Sequence, residues 1–186
     1  MTPNTESFTA TIEVAKSPRH VFECITDVSK WWGGKDLRGS AIRLNDEFTI
    51  RHGDVHYSKQ RVIEAVSSEK VVWLITESHL AWLETDKHEW TNTRLVFEIA
   101  PKGDGAVVHF THDGLVPEKE CYSRCSDGWN MIIKEYLFGF ITDGRVAAQL
   151  YRLGRAESER SLWTHGAGEA ATQAIPQHPH PCMWVR

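Results

Sequence analysis

Polar and apolar residues alternate in several runs between residues 7 and 114, which is the pattern of half-buried β-strands. The first run is SFTATIEV, residues 7–14. Turn-forming pairs such as Gly53-Asp54 and Ser68-Glu69 separate the later runs at hairpin spacing. We therefore predict an antiparallel meander with strands inside AIRLNDEFTIRHG, DVHYSKQRVIEAV, KVVWLITES, EWTNTRLVFEIA and AVVHFTHDG.

Helical spacing of apolar residues marks two other segments. SPRHVFECITDV has Ser17 as a candidate N-cap and Pro18 at the first helical position, so it predicts a short helix. The main helix is predicted from about Ser123 to Thr142, and Asp143-Gly144 would end it. A strand, a short helix, a sheet and a long final helix predict an α+β domain whose core lies between the sheet and that long helix.

The predicted long helix is apolar on more than one side. Met131 and Phe138 point away from its main apolar face, where a monomer would expose them. We therefore predict that they are covered by the C-terminal tail, by a partner, or by a second copy in a homodimer. The face that we expect to cross the sheet carries Trp129, Ile132, Ile133, Tyr136, Leu137 and Phe140.

Composition and charge narrow the function classes. The chain is 41% hydrophobic and 25% charged, with a net charge of -4 and no block of like charges, so nothing predicts binding to nucleic acid or to an anionic membrane. No apolar run is long enough to span a bilayer and the N-terminus lacks a signal-peptide pattern, so we predict no membrane insertion and a cytoplasmic location. Four cysteines are too few for a disulfide framework, which agrees with that location.

Several strings in this chain are similar to those of a known superfamily. SPRHVFECITDVSKWW, DVHYSKQRVIEAV, DKHEWTNTRLVFEI and FTHDGLVPEKECYSRCSDGW, in this order, resemble the START-like, or SRPBCC, superfamily. Within it the chain resembles homologues of the activator of the heat-shock chaperone ATPase. The resemblance covers about residues 6–144 and implies a helix-grip fold, a bent sheet wrapped on a long C-terminal helix. We therefore expect a START-like domain over residues 1–144, followed by a C-terminal extension over residues 145–186, whose composition predicts flexibility.

The resemblance also implies a cavity between sheet and helix, where many superfamily members bind lipids, sterols or polyketides. Strand alternation would direct His56, Ser58 and Gln60 inward among apolar neighbours, which is the mixture of surfaces that a small-molecule site needs. The competing interpretation is a dry core filled by side chains. For non-covalent binding of an apolar or aromatic small molecule, the candidate residues are Phe48, Ile50, His52, His56, Leu95, Phe97, Phe110, His112, Trp129, Ile133, Tyr136 and Phe140.

Metal and enzyme chemistry have weaker support in the sequence. His52, His56 and His112 would meet only if the sheet curvature joined their strand ends, so we predict neither a metal nor a cofactor. Cys121 and Cys125 share one helical face, where buried cysteines are usually small apolar residues. None of the phosphate-loop, nucleophile-elbow or zinc-protease motifs occurs in the sequence. A polyketide-cyclase-like enzyme and a chaperone-interaction module without a ligand remain alternatives.

Overall fold

The computed structural model describes residues 6–32 and 36–147. These residues form an α+β domain in which a seven-stranded sheet packs against a C-terminal helical segment. The strands are β1 (Phe8–Val14), β2 (Arg38–Gly39), β3 (Glu47–His52), β4 (His56–Val66), β5 (Lys70–Leu80), β6 (Arg94–Lys102) and β7 (Gly105–Asp113). The helices are α1 (Pro18–Thr26), a short 3₁₀ turn (Val28–Lys30), α2 (Tyr122–Met131), a π segment (Ile132–Leu137) and α3 (Phe138–Asp143).

The sheet has the order β1-β7-β6-β5-β4-β3-β2, and every neighbouring pair is antiparallel. The strands from β2 to β7 form the predicted meander, and β1 joins its far edge by pairing Phe8 with His112. The register shifts between β4 and β5 at Lys59/Gln60 and at Val62/Glu64. Such irregularities increase the local twist and bend of a strand. The curved antiparallel sheet and the long final helix confirm the predicted helix-grip fold.

Two strands begin later than the alternation predicts. In the segment before β3, the Asp46 carboxylate accepts hydrogen bonds from the amides of Ile42 (3.2 Å) and Arg43 (3.0 Å), so the backbone turns there. Before β6, the amide of Thr93 donates to the carbonyl of Trp90 at 3.1 Å, which likewise closes a turn. In both places the turn delays the regular strand, although backbone hydrogen bonds still join the segment to the neighbouring strand, as between Asn45 and Val62 (2.9 Å) and between Asn92 and Ile75 (2.8 Å).

The helix termini follow the predicted capping chemistry. Ser17 caps α1, because its Oγ accepts a hydrogen bond from the His20 amide at 3.3 Å. Gly144 ends the long helical segment in the left-handed conformation, with φ of 68°. The Gly144 amide donates to the carbonyl of Phe140 at 3.0 Å, and the Arg145 amide donates to that of Gly139 at 3.2 Å. Glycine is the residue that adopts this conformation at least cost.

A π segment interrupts the long helix, which the sequence predicted as one regular α-helix. Hydrogen bonds from residue i to i+5 insert an extra residue in the turn, so the following residues rotate relative to regular α-helical spacing. As a result Ile141 is buried, whereas Phe140 is only half-buried. Phe140 still packs against the hydrophobic core, and its place on the ligand-binding face stays a prediction.

Met131 and Phe138 also differ from the prediction. Both are half-buried and pack against the hydrophobic core, rather than standing fully exposed on the opposite side of the helix. The Tyr136 hydroxyl donates to the sulfur of Met131 at 3.4 Å, so this side chain lies toward its own helix. Among residues 6–32 and 36–147, no helix has the length and apolar content that crossing a bilayer requires.

The core continues slightly beyond the predicted domain end at residue 144. Ala147 is buried within the hydrophobic cluster. The Arg145 guanidinium lies over Gly139, where an added Cβ would come within 3.3 Å of it. The boundary at residue 144 remains a prediction, and most of the extension 145–186 lies outside the described residues, because the description ends at residue 147.

Candidate functional site

The concave side of the sheet and the facing helix bring most of the predicted ligand-binding residues into one interior. His52, at the end of β3, is only half-buried, and so is Phe140, which packs against the core. The other ten are buried: Phe48, Ile50, His56, Leu95, Phe97, Phe110, His112, Trp129, Ile133 and Tyr136.

Aromatic rings dominate this interior. Trp73 on β5 is fully buried and lies at its centre, with its ring 4.9 Å from that of Phe48 and 5.0 Å from that of Phe97. Trp31 and Trp32, which follow α1, stack on Trp73 with ring centroids at 6.2 Å and 6.5 Å. These five residues form what we call the aromatic cluster, a rigid surface suited to stacking against flat apolar groups.

His112 is the junction between the sheet and the long helix. The Trp129 indole N–H donates to His112 Nδ1 at 2.9 Å, so this nitrogen is an acceptor and the proton of the neutral ring is on Nε2. Nε2 then donates to the Thr93 hydroxyl at 2.9 Å, and that hydroxyl donates to the Trp90 carbonyl at 2.5 Å. Both ring nitrogens are therefore used in a chain of hydrogen bonds that connects β7, the turn before β6 and α2.

The electrostatics of His112 agree with a neutral, structural imidazole. Burial, helped by the positive charge of Lys119, lowers the pKa of His112 to about 3. A base of this strength is almost never protonated near neutral pH, and both nitrogens are already paired. His112 therefore fits a structural role better than proton transfer.

Three consecutive inward positions of β4 are polar. His56, Ser58 and Gln60 are all buried, and we call them the polar row. His56 Nε2 lies 3.1 Å from the Ser58 hydroxyl, and the Gln60 amide nitrogen donates to the same hydroxyl at 2.6 Å. Burial lowers the pKa of His56 well below its usual value, so the row is uncharged at neutral pH.

The three candidate metal-binding histidines do not come together. The rings of His52 and His56 lie 5.6 Å apart at the β3–β4 turn, whereas His112 is engaged by Thr93 and Trp129. In the described part of the chain, no group of three or more His, Cys, Asp or Glu residues has metal-binding geometry.

Cys121 and Cys125 are buried at the start of the long helix, and both are free thiols. Burial raises the pKa of the Cys125 thiol well above its usual value, and the neighbouring Cys121 raises it further. The thiolate is the reactive form of cysteine, so this environment suppresses nucleophilic chemistry. The pair serves as apolar core.

β5 and the segment after α1 contribute interior residues that are absent from the predicted ligand-binding set. Alternation along KVVWLIT does place Trp73 on the same face as Val71 and Ile75, and all three are fully buried. No comparable alternation predicts that Trp31 and Trp32 are buried, because they follow a helix in a segment without a regular repeat. Their position depends on tertiary packing.

The fold and its enclosed aromatic interior define a START-like domain of the helix-grip class. The sequence profile described as "Activator of Hsp90 ATPase homolog 1-like protein" matches residues 15–137, well over half of the chain. The chain therefore belongs to this family. No curated protein sequence matches it significantly.

Solved structures confirm the fold at low sequence identity. The Aha1 dimer from Colwellia psychrerythraea is 17% identical with a TM-score of 0.59, over 75% of this chain and 98% of that one. CalU16 from Micromonospora echinospora is 13% identical with a TM-score of 0.52, over 85% and 87% of the two chains. DynU16, from the dynemicin biosynthetic locus, is 12% identical with a TM-score of 0.56, over 75% of this chain and 48% of that one.

Proposed function

We propose that this protein binds an apolar or aromatic small molecule non-covalently between the concave side of the sheet and the long helix. The observation that carries the proposal is the polar row. A dry core would favour apolar side chains at these three inward positions of β4, because burying polar groups is costly. The chain instead has a histidine, a serine and a glutamine there, surrounded by aromatic rings.

The aromatic cluster supports the same proposal, because its rings can supply binding energy. Small-molecule sites combine extensive apolar and aromatic surface with a few polar groups that set the orientation of the ligand. Trp73 supplies a broad ring on β5, next to the strand that carries the polar row, and Phe97 on β6 packs beside it. The aromatic surface would provide binding energy, and the polar row would provide selectivity.

The enzymatic alternative, a polyketide-cyclase-like activity, has less support. It needs an inward-facing acid or base, and burial lowers the pKa of both inward-facing imidazoles, that of His56 well below its usual value and that of His112 to about 3. The chaperone-interaction alternative rests on the family description rather than on any contact of this chain. Ligand binding is therefore the function that we put forward, and a cytoplasmic location stays a prediction.

Native mass spectrometry of the protein, purified gently without detergent, tests the proposal directly. We expect a population with one retained small molecule, or, from the unliganded protein, saturable binding of 2-methoxynaphthalene or 2-naphthol by calorimetry with one site per chain. A protein with no retained mass and no saturable heat for either probe contradicts the proposal.

A matched pair of substitutions locates the binding. Ile50→Phe adds a ring to a fully buried position on the concave side, whereas Ile63→Phe makes the same change at a position on β4 that is 39% exposed. Only the first should weaken naphthalene binding, because it fills interior space. Equal affinities in two folded variants would place the ligand elsewhere.

We infer further that a homodimer could use the surface around Met131 and Phe138, which is half-buried in the single chain. A solved relative from Colwellia psychrerythraea is described as a dimer, which supports the inference. Sedimentation of the double variant Met131→Ser, Phe138→Lys tests it. A dimeric parent and a monomeric, folded variant are expected, whereas a monomeric parent overturns the inference.

A further inference from the structure

Among the residues that the structure describes, two fully buried side chains of the interior each carry a polar atom without a hydrogen-bond partner. These atoms are the side-chain oxygen of Gln60 and the indole nitrogen of Trp73. Native proteins satisfy nearly all buried polar groups, so each exception needs a physical explanation. Here one exception is an acceptor and the other is a donor.

The sheet register places these two residues close together on the same face. Gln60 on β4 is opposite Ile75 on β5, and Trp73 is opposite Val62, so Gln60 and Trp73 are diagonal neighbours. Side chains in this relation are within reach of one group bound between them. The register therefore brings the residues that carry the acceptor and the donor to neighbouring positions on the interior face.

Both polar atoms are held in fixed positions by their surroundings. The nitrogen of the Gln60 amide donates to Ser58, which leaves the amide oxygen available. The Trp73 indole is packed by Trp31, Trp32, Phe48 and Phe97. A fixed donor and a fixed acceptor can select a ligand group without paying much additional ordering entropy.

Two other interior tryptophans show that the arrangement at Trp73 is particular. The Trp31 indole nitrogen donates to the carbonyls of Cys24 (3.1 Å) and Ile25 (3.2 Å). The Trp129 indole nitrogen donates to His112. The fold thus pairs these two donors internally, whereas that of Trp73 is left for a group from outside the chain.

We propose that Gln60 and Trp73 bind a hydroxyl group of the ligand, which makes the ligand a hydroxylated aromatic or apolar molecule such as a phenol or an enol. The hydroxyl oxygen accepts from the Trp73 indole N–H, and its hydrogen is donated to the Gln60 oxygen. This inference rests on the proposed function and deepens it, because it names the chemical group that the interior recognises.

Other oxygen-bearing groups fit less well. A ketone or an ether can only accept, so it would satisfy Trp73 and leave its own oxygen facing that of Gln60. A carboxylate would bring a charge into an interior with no cation to pair it. In the described chain the buried polar residues are Thr26, His56, Ser58, Gln60, Ser78, Thr93 and His112, and none is Lys or Arg.

Calorimetry with three naphthalene probes tests the inference. The probes are 2-naphthol, 2-methoxynaphthalene and 2-methylnaphthalene, which share a ring system and differ in hydrogen bonding. We expect 2-naphthol to bind the parent protein at least about tenfold more tightly than the ether, because an ether leaves the buried acceptor unpaired. Gln60→Leu should bring this ratio close to one.

Trp82→Phe serves as the control, because Trp82 is outside the predicted ligand-binding residues and its ring lies under the Arg124 guanidinium at 5.0 Å. This variant should keep the parent's preference for 2-naphthol. Trp73→Phe should lose the preference for 2-naphthol over the ether. If this variant does not fold, the ratio of the two affinities in the parent protein tests the inference.

The outcomes separate this inference from the proposed function. Equal affinities of the parent for 2-naphthol and the ether would overturn the inference and leave the proposed function standing, with the Gln60–Trp73 location holding only water. An unchanged naphthol preference in folded Gln60→Leu would also overturn it. The absence of saturable binding for all three probes would overturn both.

Discussion

Acidification should destabilise this protein through His112, and the effect can be isolated with one substitution. The imidazole is neutral and fully buried, and its pKa is lowered from 6.5 to about 3. Above pH 6.5 the ring is neutral in both the folded and the unfolded chain, so it adds no pH dependence. Below that value the unfolded chain binds a proton that the folded chain does not, and stability falls until the pH nears 3.

The size of the effect follows from one proton. The free energy of unfolding should fall by about 1.4 kcal/mol per pH unit below the unfolded pKa, or about 3 kcal/mol between pH 6.5 and about pH 4.5. His56, which is also fully buried with a lowered pKa, adds a loss of the same sign. The parent slope therefore contains at least these two histidines, and a variant is needed to isolate His112.

His112→Phe removes the titrating ring and keeps a flat aromatic side chain. We expect the free energy of unfolding of this variant to fall less steeply on acidification, by about 1.4 kcal/mol per pH unit. At pH 7.5 the variant should be less stable by about 1–3 kcal/mol, because the Trp129 indole N–H loses its acceptor. Urea unfolding at several pH values, followed by tryptophan fluorescence, measures both effects.

His109→Phe is the matched control. His109 lies on the same strand but on the exposed face, where its Nδ1 is 3.1 Å from the Thr11 hydroxyl, so its substitution removes a histidine of this strand without changing the interior. This variant should keep the parent's pH dependence. If His112→Phe and the parent have equal slopes between pH 6.5 and about pH 4.5, the buried neutral imidazole is not what makes the fold acid-sensitive, and the reasoning fails.

Three further substitutions or truncations test the packing. Trp129→Phe should lower the free energy of unfolding by about 1–3 kcal/mol, because it leaves a void and an unpaired His112 Nδ1, and an unchanged urea midpoint would contradict this. Glu89→Gln should lower the free energy of unfolding by about 1–2 kcal/mol, because the Glu89 carboxylate accepts hydrogen bonds from the amides of Glu120 (2.9 Å) and Cys121 (2.8 Å). Calorimetric melting measures this loss. The control Glu98→Gln, at an exposed position on β6, should leave the melting temperature unchanged. A chain ending after Ala147 should melt cooperatively. A chain ending after Gly144 should melt several degrees lower, because it lacks the buried Ala147. Equal melting temperatures for the two chains would support the predicted boundary at residue 144.

The strands were predictable because local chemistry and burial agree in them. Alternation placed Phe48, Phe97 and Phe110 inward, and Gly144 ended the helix as expected. The π segment was not predictable, because apolar residues in IIKEYLFGF also fit regular α-helical spacing.

The candidate site was only partly predictable for a different reason. Burial of Gln60 follows from alternation along β4, but its lack of a second partner depends on the register with β5 and on the bulges beside it. The pairing of His112 with Trp129 joins a strand to a helix and is a property of tertiary packing. Sequence patterns therefore identified the lining of the interior but not the way in which its polar atoms are paired.

The π segment has a consequence for how this chain tolerates changes in length. Its extra residue lets Trp129 before it, Ile133 and Leu137 within it and Ile141 after it all reach the core. Deleting one residue here would restore regular winding yet rotate everything that follows by about 100°. Ile141 would then leave the core and Arg145 would move away from Gly139. The local irregularity is thus the condition under which both ends of the helix pack onto the same sheet.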